Sequence, residues 1–155
     1  MRAVHSITPA GNSDLPRESP SWPVAASDHD AVESATKAFD AHDLHALSDV
    51  LADDVTCRAP GGVEEKGKAA CVGFHRRWLA DFPDAQLEVR ARHVIGHVVV
   101  EEGTFRGTHE GVAATGRSVR LDYVRLVRIH DGKQVSDDLM FDRLLMLEQL
   151  GLVST

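Results

Sequence analysis

The residues best placed to do chemistry stand near the end of the chain, in SDDLMFDRLLMLEQLG, Ser136 to Gly151. Asp137, Asp138 and Asp142 precede or open an apolar run that stops at a glycine. A carboxylate serves as a general base or acid near neutral pH when burial lifts its pKa, so the question is which of the three is buried. From Asp142 onward the spacing predicts a helix, with Leu144, Leu145, Leu147 and Leu150 on one apolar face and Gly151 as its stop. Asp142 then sits at the N-cap, where its carboxylate accepts a bond from a first-turn N–H. Upstream the stretch reads as a strand, on which side chains two apart share a face. Asp137, Leu139 and Phe141 fall on one face, and Asp138 falls on the wet one.

Earlier strands supply partners. In RSVRLDYVRLVRIHDGK, Leu121, Tyr123, Arg125 and Val127 share a face. A buried guanidinium without a partner is costly, so Arg125 is expected to meet Glu102 or Asp137. It would hold a substrate oxygen or stabilise developing negative charge. Tyr123, the only tyrosine, offers a phenol donor to a carbonyl. In HVVVEEGTFRGTHEG, Glu102, Thr104 and Arg106 alternate with Glu101, Gly103 and Phe105. His109, in GTHEG, belongs to a loop at the pocket rim, where its ring N–H shapes the loop or its imidazole joins the chemistry. Cys57 reads as a small buried hydrophobe. With Phe74, Trp78, Phe105, Leu139 and Phe141 it is expected to line a pocket for a flat or polycyclic ligand.

These side chains need a scaffold, and the hydrophobic period supplies one. SDHDAVESATKAFDAHDLHALSDVLADDV predicts a helix from about Asp28 to Ala41 and a short second helix to about Leu51. VTCRAPGG is a short strand ending in a turn, and GKAACVGFHRRWLADFPD is a third helix with Cys71, Phe74, Trp78 and Phe82 on a stripe. After Pro83 the pattern turns to strands joined by IGH and HDGK turns, an antiparallel meander. Helices followed by such a sheet make an α+β domain with a pocket between the layers. Residues 1–27, rich in Pro and Ser, read as a flexible N-terminal arm, and 28–155 as the domain.

The bulk numbers narrow the function. A chain of 155 residues, 43% hydrophobic, can bury one core and a small pocket. Its net charge of −7 disfavours nucleic acid and anionic membrane surfaces as partners. No apolar run in the sequence approaches the ~20 residues needed to span a bilayer, and the N-terminus has no apolar signal core. With two cysteines and no CxxC, the chain fits a cytoplasmic protein. No His/Cys/carboxylate spacing suits a metal and no Gly-rich loop suits a nucleotide, so no metal and no cofactor are expected.

The segments AFDAHDLHALSDVLADDV, FPDAQLEV, GTFRGTHEG, ATGRSVRLDYVRLVRIHDGKQV and FDRLLMLEQLG, spanning about residues 28 to 151, together resemble SnoaL-like polyketide cyclases. These belong to the nuclear transport factor 2-like superfamily, with limonene epoxide hydrolase and ketosteroid isomerase. The resemblance implies a cone: a curved, mostly antiparallel sheet wrapped around N-terminal helices with an internal pocket, often a homodimer through the outer sheet face. It implies cofactor-free chemistry on a hydrophobic small molecule, by aldol ring closure, epoxide opening or isomerisation. It also places Glu102 in the cone, where epoxide hydrolases carry a working arginine, and Asp142 among the acids the family carries. The sequence departs from the family at its usual acid, where Leu139 stands, and at a cyclase histidine, replaced by Arg125. The leading expectation is a cofactor-independent cyclase or isomerase of a polyketide-type intermediate. An epoxide-opening enzyme using Glu102 with Asp137, or a binding protein that has lost the acid, are the alternatives.

Overall fold

The computed structural model describes residues 26–154. The elements run α1 (Ala26–Asp40), α2 (Leu44–Asp49), β1 (Leu51–Ala59), β2 (Val63–Lys66), α3 (Lys68–Asp81), β3 (Gln86–Ile95), β4 (Val98–Thr108), β5 (Ser118–His130), β6 (Lys133–Phe141) and α4 (Arg143–Gln149). The expected arm lies outside the described residues except for its last two, which open α1.

α1 forms because Ala31, Val32, Ala35, Ala38 and Phe39 recur at helical spacing, and all five are buried. His42, with φ of 57°, breaks the helix, and Asp43 caps α2 by accepting from the backbone N–H groups of His45 and Ala46. α3 starts after Gly67 and ends at Asp81, with Phe82 as its C-cap just before Pro83. Asp131 and Gly132, both with positive φ, make the tight β5–β6 turn, as an Asp-Gly pair does in a two-residue hairpin.

The six strands form one sheet in the order β2-β1-β6-β5-β4-β3. Only β1 and β6 run parallel among the described strands, and their register sets Cys57 beside Asp137. β4 and β5 pair Glu101 with Arg125 and Gly103 with Tyr123, and β5 and β6 pair Arg125 with Leu139. The largest buried cluster joins α1 and α3 to this face through Phe39, Leu79, Phe82, Phe105, Leu121 and Tyr123.

Three expectations are corrected here. The second helix stops at Asp49 rather than near Leu51, because Leu51 begins β1 and pairs with Gln134. β2, VEEK, was missed because a four-residue edge strand with two glutamates carries little β-propensity. The apolar face of α4 is only partly covered: Leu150 is buried and Met146 packs on the core, but Leu144 and Leu145 are exposed. The helix leans on β5 alone among its substantial contacts, so most of its face meets no second layer.

Candidate active site

A cavity of about 70 Å³ lies between α1, α3 and the inner sheet face. Phe39, Phe74, Trp78, Phe105, Leu139 and Phe141 give it apolar walls. Trp78 is its centre of packing, with ring centroids 5.4 Å from Phe105, 5.9 Å from Phe141 and 5.3 Å from Phe82. A space of this size holds a few waters. The rings of Phe74, Trp78 and Phe141 in its wall are half-buried.

The polar end of the cavity is built by strand register. Glu101 on β4 and Arg125 on β5 are directly opposite, and Asp137 on β6 lies on the diagonal. Arg125 Nε is 3.0 Å from Glu101 Oε1, but its N–H does not point along that line, so the contact is an ion pair. Arg125 Nη1 donates to Asp137 Oδ2 at 3.3 Å and Nη2 to Thr36 Oγ1 at 3.3 Å. Glu101, fully buried, also accepts from Arg92 Nε at 2.7 Å, Thr36 Oγ1 at 3.0 Å and the Tyr123 hydroxyl at 3.0 Å. Its four partners leave it no freedom to act as a base.

Burial works against the charge of Glu101, but Arg125 and Arg92 outweigh it and hold the carboxyl below its ordinary range. Burial likewise opposes the charge on Arg125, and Asp137 and Glu101 more than restore it. Burial and the neighbouring Glu101 charge push the Tyr123 phenol up, so it stays protonated and donates. Burial, with Asp137 beside it, pushes the Cys57 thiol far up, so it is an inert wall and not a nucleophile.

Helix α3 adds a residue that the sequence reading passed over. His75 lines the cavity, edge-on to Phe39 and Phe74 with centroids 6.2 and 5.5 Å away. Its Nδ1 is 2.8 Å from the carbonyl oxygen of Cys71. A carbonyl only accepts, so the proton is on Nδ1 and Nε2 carries a lone pair. Burial lowers the pKa of the imidazole. The missed signal was present: Cys71, Phe74, His75 and Trp78 follow the i, i+3, i+4, i+7 pattern of one helix face.

Arg125, Asp137, Tyr123, Cys57, Phe74, Trp78, Phe105, Leu139 and Phe141 all line the cavity. Glu102 does not, and its neighbour Glu101 takes the inner face. Phe105 and Glu102 are three apart on β4, so alternation forbids both from pointing inward. Without Glu102 the carboxylate pair expected for epoxide opening is not formed. His109 is also outside the cavity: its Nδ1 accepts from the backbone N–H of Thr115 at 3.3 Å, and its ring rests on Phe82. It shapes the loop through a lone pair rather than an N–H. Asp142 is the α4 cap, accepting from the Leu145 N–H at 3.0 Å, and is exposed. Asp138 bridges Arg58 and Arg128 on the outer face.

Gly103 marks a close approach. A Cβ there would stand 2.6 Å from the Glu88 carbonyl oxygen and 2.8 Å from the Tyr123 hydroxyl oxygen. Gly103→Ala is therefore expected to displace Tyr123 from Glu101 and to cost about 1–3 kcal/mol, the range for overpacking. Thermal melting checks this; an unchanged midpoint would show that the strand yields freely.

Among the described residues, His29, Asp30 and Glu33 form a cluster of possible metal ligands, and none of them lines the cavity. No helix of the described chain is long and apolar enough to cross a membrane.

Comparison with known proteins agrees with this architecture. A structure of IdmH, a proposed polyketide cyclase from Streptomyces antibioticus, is 28% identical, covering 80% of this chain and 98% of that one with a TM-score of 0.69. A proposed SnoaL-like polyketide cyclase from Jannaschia sp. CCS1 is 16% identical over 85% of this chain and 96% of its own, with a TM-score of 0.77. An NTF2-like protein of unknown function from Burkholderia pseudomallei is 24% identical over 81% and 98%, at a TM-score of 0.73. The fold is therefore the NTF2-like α+β cone with an unclosed sheet. No curated protein sequence gives a match. A sequence model of the SnoaL-like domain matches residues 32–136, more than half of the chain, and the protein belongs to that family.

Proposed function

We propose that the protein is a cofactor-independent cyclase or isomerase acting on a hydrophobic, polyketide-type carbonyl compound. The observation that carries this reading is a guanidinium at the end of an apolar cavity with donors to spare. Arg125 has five N–H donors and makes two long hydrogen bonds with them. An enolate oxygen formed beside it would meet a preorganised, nearly dry cation. The apolar walls would hold the carbon skeleton folded so that the enolate carbon faces a second carbonyl. The family and the likeness to IdmH support the substrate class.

A probe that needs no knowledge of the natural substrate tests the first step. 2-Tetralone is flat, bicyclic and carries acidic C–H bonds next to its carbonyl. Deuterium exchange at C1 in D2O, followed by proton NMR, is expected to run faster with the protein than in buffer. Bound tetralone that exchanges at the buffer rate would sink the proposal.

We also place the protein in the cytoplasm as a homodimer through the convex sheet face. There Val124, half-buried, pairs with exposed Met140 beside Leu126. The strip is framed by the ion pairs Arg90–Asp122 and Arg128–Asp138. Light scattering at micromolar concentration is expected to return twice the chain mass of 16.9 kDa, and a monomer there contradicts the dimer.

A further inference from the structure

We infer that His75, through its Nε2, is the group that takes the proton from the substrate carbon. This rests on the ring-closure reading above and assigns its base.

The choice lies between two cavity residues, and geometry separates them. Asp137 Oδ2 is tied to Arg125, and its Oδ1 is buried with no partner among the described residues. An atom that solvent cannot touch is closed to a substrate C–H in this arrangement. His75 differs on both counts. Its Nδ1–H is committed to the Cys71 carbonyl, which fixes both tautomer and ring orientation. Its Nε2 has no hydrogen-bond partner among the described residues and is not among the sealed atoms, and the ring lines the cavity. Phe39 and Phe74 flank the ring edge-on.

The surroundings fit a base that is neutral at rest. The charged or titratable side chains facing the same cavity are Cys57 from β1, Tyr123 and Arg125 from β5, and Asp137 from β6; Arg58 borders it from β1 but turns its guanidinium to Glu64 and Asp138 on the outer face, and α1 faces it with Phe39. Burial is the largest influence and depresses the imidazole pKa; the bond to Cys71 and the Asp137 charge pull it back up, and Arg125 pushes it down. The free base therefore persists below its ordinary pKa of 6.5.

The step balances without another reactant. A C–H bond next to a carbonyl breaks, its proton goes to Nε2, and its electron pair forms an enolate whose oxygen accepts from Arg125. The enolate carbon then bonds to a second carbonyl carbon of the same molecule. That carbonyl becomes an alkoxide and takes the proton back from Nε2–H, giving an isomeric ring. Asp137 acts as a positioning residue that steadies Arg125 and the transient imidazolium.

The test combines tetralone exchange with histidine side-chain nitrogen NMR on the full chain. His75, recognised by the signal missing in His75→Gln, is expected to show a protonated Nδ1 and an unprotonated Nε2 at pH 7. Exchange should fall about 10²–10⁴-fold in both His75→Gln and His75→Phe, with circular dichroism reporting their folding. The acid limb of the wild-type rate should lie below pH 6.5. In Asp137→Asn that limb should survive and move to lower pH, since a charge that raises the imidazole pKa has gone. An Nε2-protonated tautomer overturns the assignment. So does full exchange in folded His75→Gln with loss of the limb in Asp137→Asn, which would make Asp137 the base and leave the proposed function standing. Bound tetralone that does not exchange in the wild type removes the proposed function and this inference with it.

Discussion

Glu101→Ala is expected to be the most destabilising single change in the chain. Glu101 is completely buried and meets Arg125, Arg92, Thr36 and Tyr123 at 2.7–3.0 Å. Removing it leaves Arg125, buried, and Arg92, nearly so, without their shared counter-charge. Breaking a buried ion pair from one side costs about 3–5 kcal/mol, set against a total stability of about 5–15 kcal/mol for a domain. At about 2–4 °C per kcal/mol for a chain of this size, the melting temperature should drop by roughly 6–20 °C. Glu101→Gln keeps the shape and isolates the charge. The native carboxyl is held below its ordinary pKa of 4.5. Its contribution is thus fully present above that value and is lost as pH falls from there through the lower folded pKa. The Gln variant should lose this part of the acid sensitivity and start less stable at pH 7. An Ala variant melting within about 2 °C of the wild type would mean the cluster is solvated in solution and contributes little.

How far the site could be read in advance follows from where each residue gets its direction. Asp137, Leu139 and Phe141 were placed correctly because a strand has a two-residue period and one inward residue fixes the others. Arg125 and Tyr123 followed in the same way on β5. Glu101 and Glu102 are adjacent, and alternation says only that they face opposite ways. Phe105 on the same strand breaks the tie, because a large aromatic on the inner face forces Glu101 inward with it. Analogy to another enzyme's arginine pointed to the wrong neighbour. His75 was hidden for a different reason: a helix stripe of Cys, Phe and Trp reads as core, and a histidine within it draws no notice until its i−4 carbonyl and the cavity are seen together. β2 and the true end of α2 depend on pairing with β1 and β6, which no local propensity encodes.

Arg125→Met should separate the role of the guanidinium in catalysis from its role in the fold. The side chain is buried, and two carboxylates and a hydroxyl surround it. Its hydrogen bonds to Asp137 and Thr36, both 3.3 Å, are longer than the usual 2.9–3.0 Å, so small rotations can turn an N–H toward a ligand oxygen without breaking a tight contact. Met keeps the length and removes the donors. It also leaves Glu101 with Arg92 and leaves Asp137 without a cation, so some loss of stability accompanies the change. Arg125→Lys restores the charge but not the planar fork, and is expected to fold better while remaining impaired. Loss of one oxyanion donor typically costs about 10²–10³ in rate, and the folded Met variant should slow tetralone exchange by that factor, with Lys between Met and wild type. The acid limb offers a second reading. Arg125 depresses the His75 pKa, so its removal should move the limb of the residual rate to higher pH, opposite to the shift in Asp137→Asn. A folded Met variant that exchanges tetralone at the wild-type rate would make Arg125 a structural counter-ion to Glu101 and Asp137, and the negative charge of the transition state would need another partner.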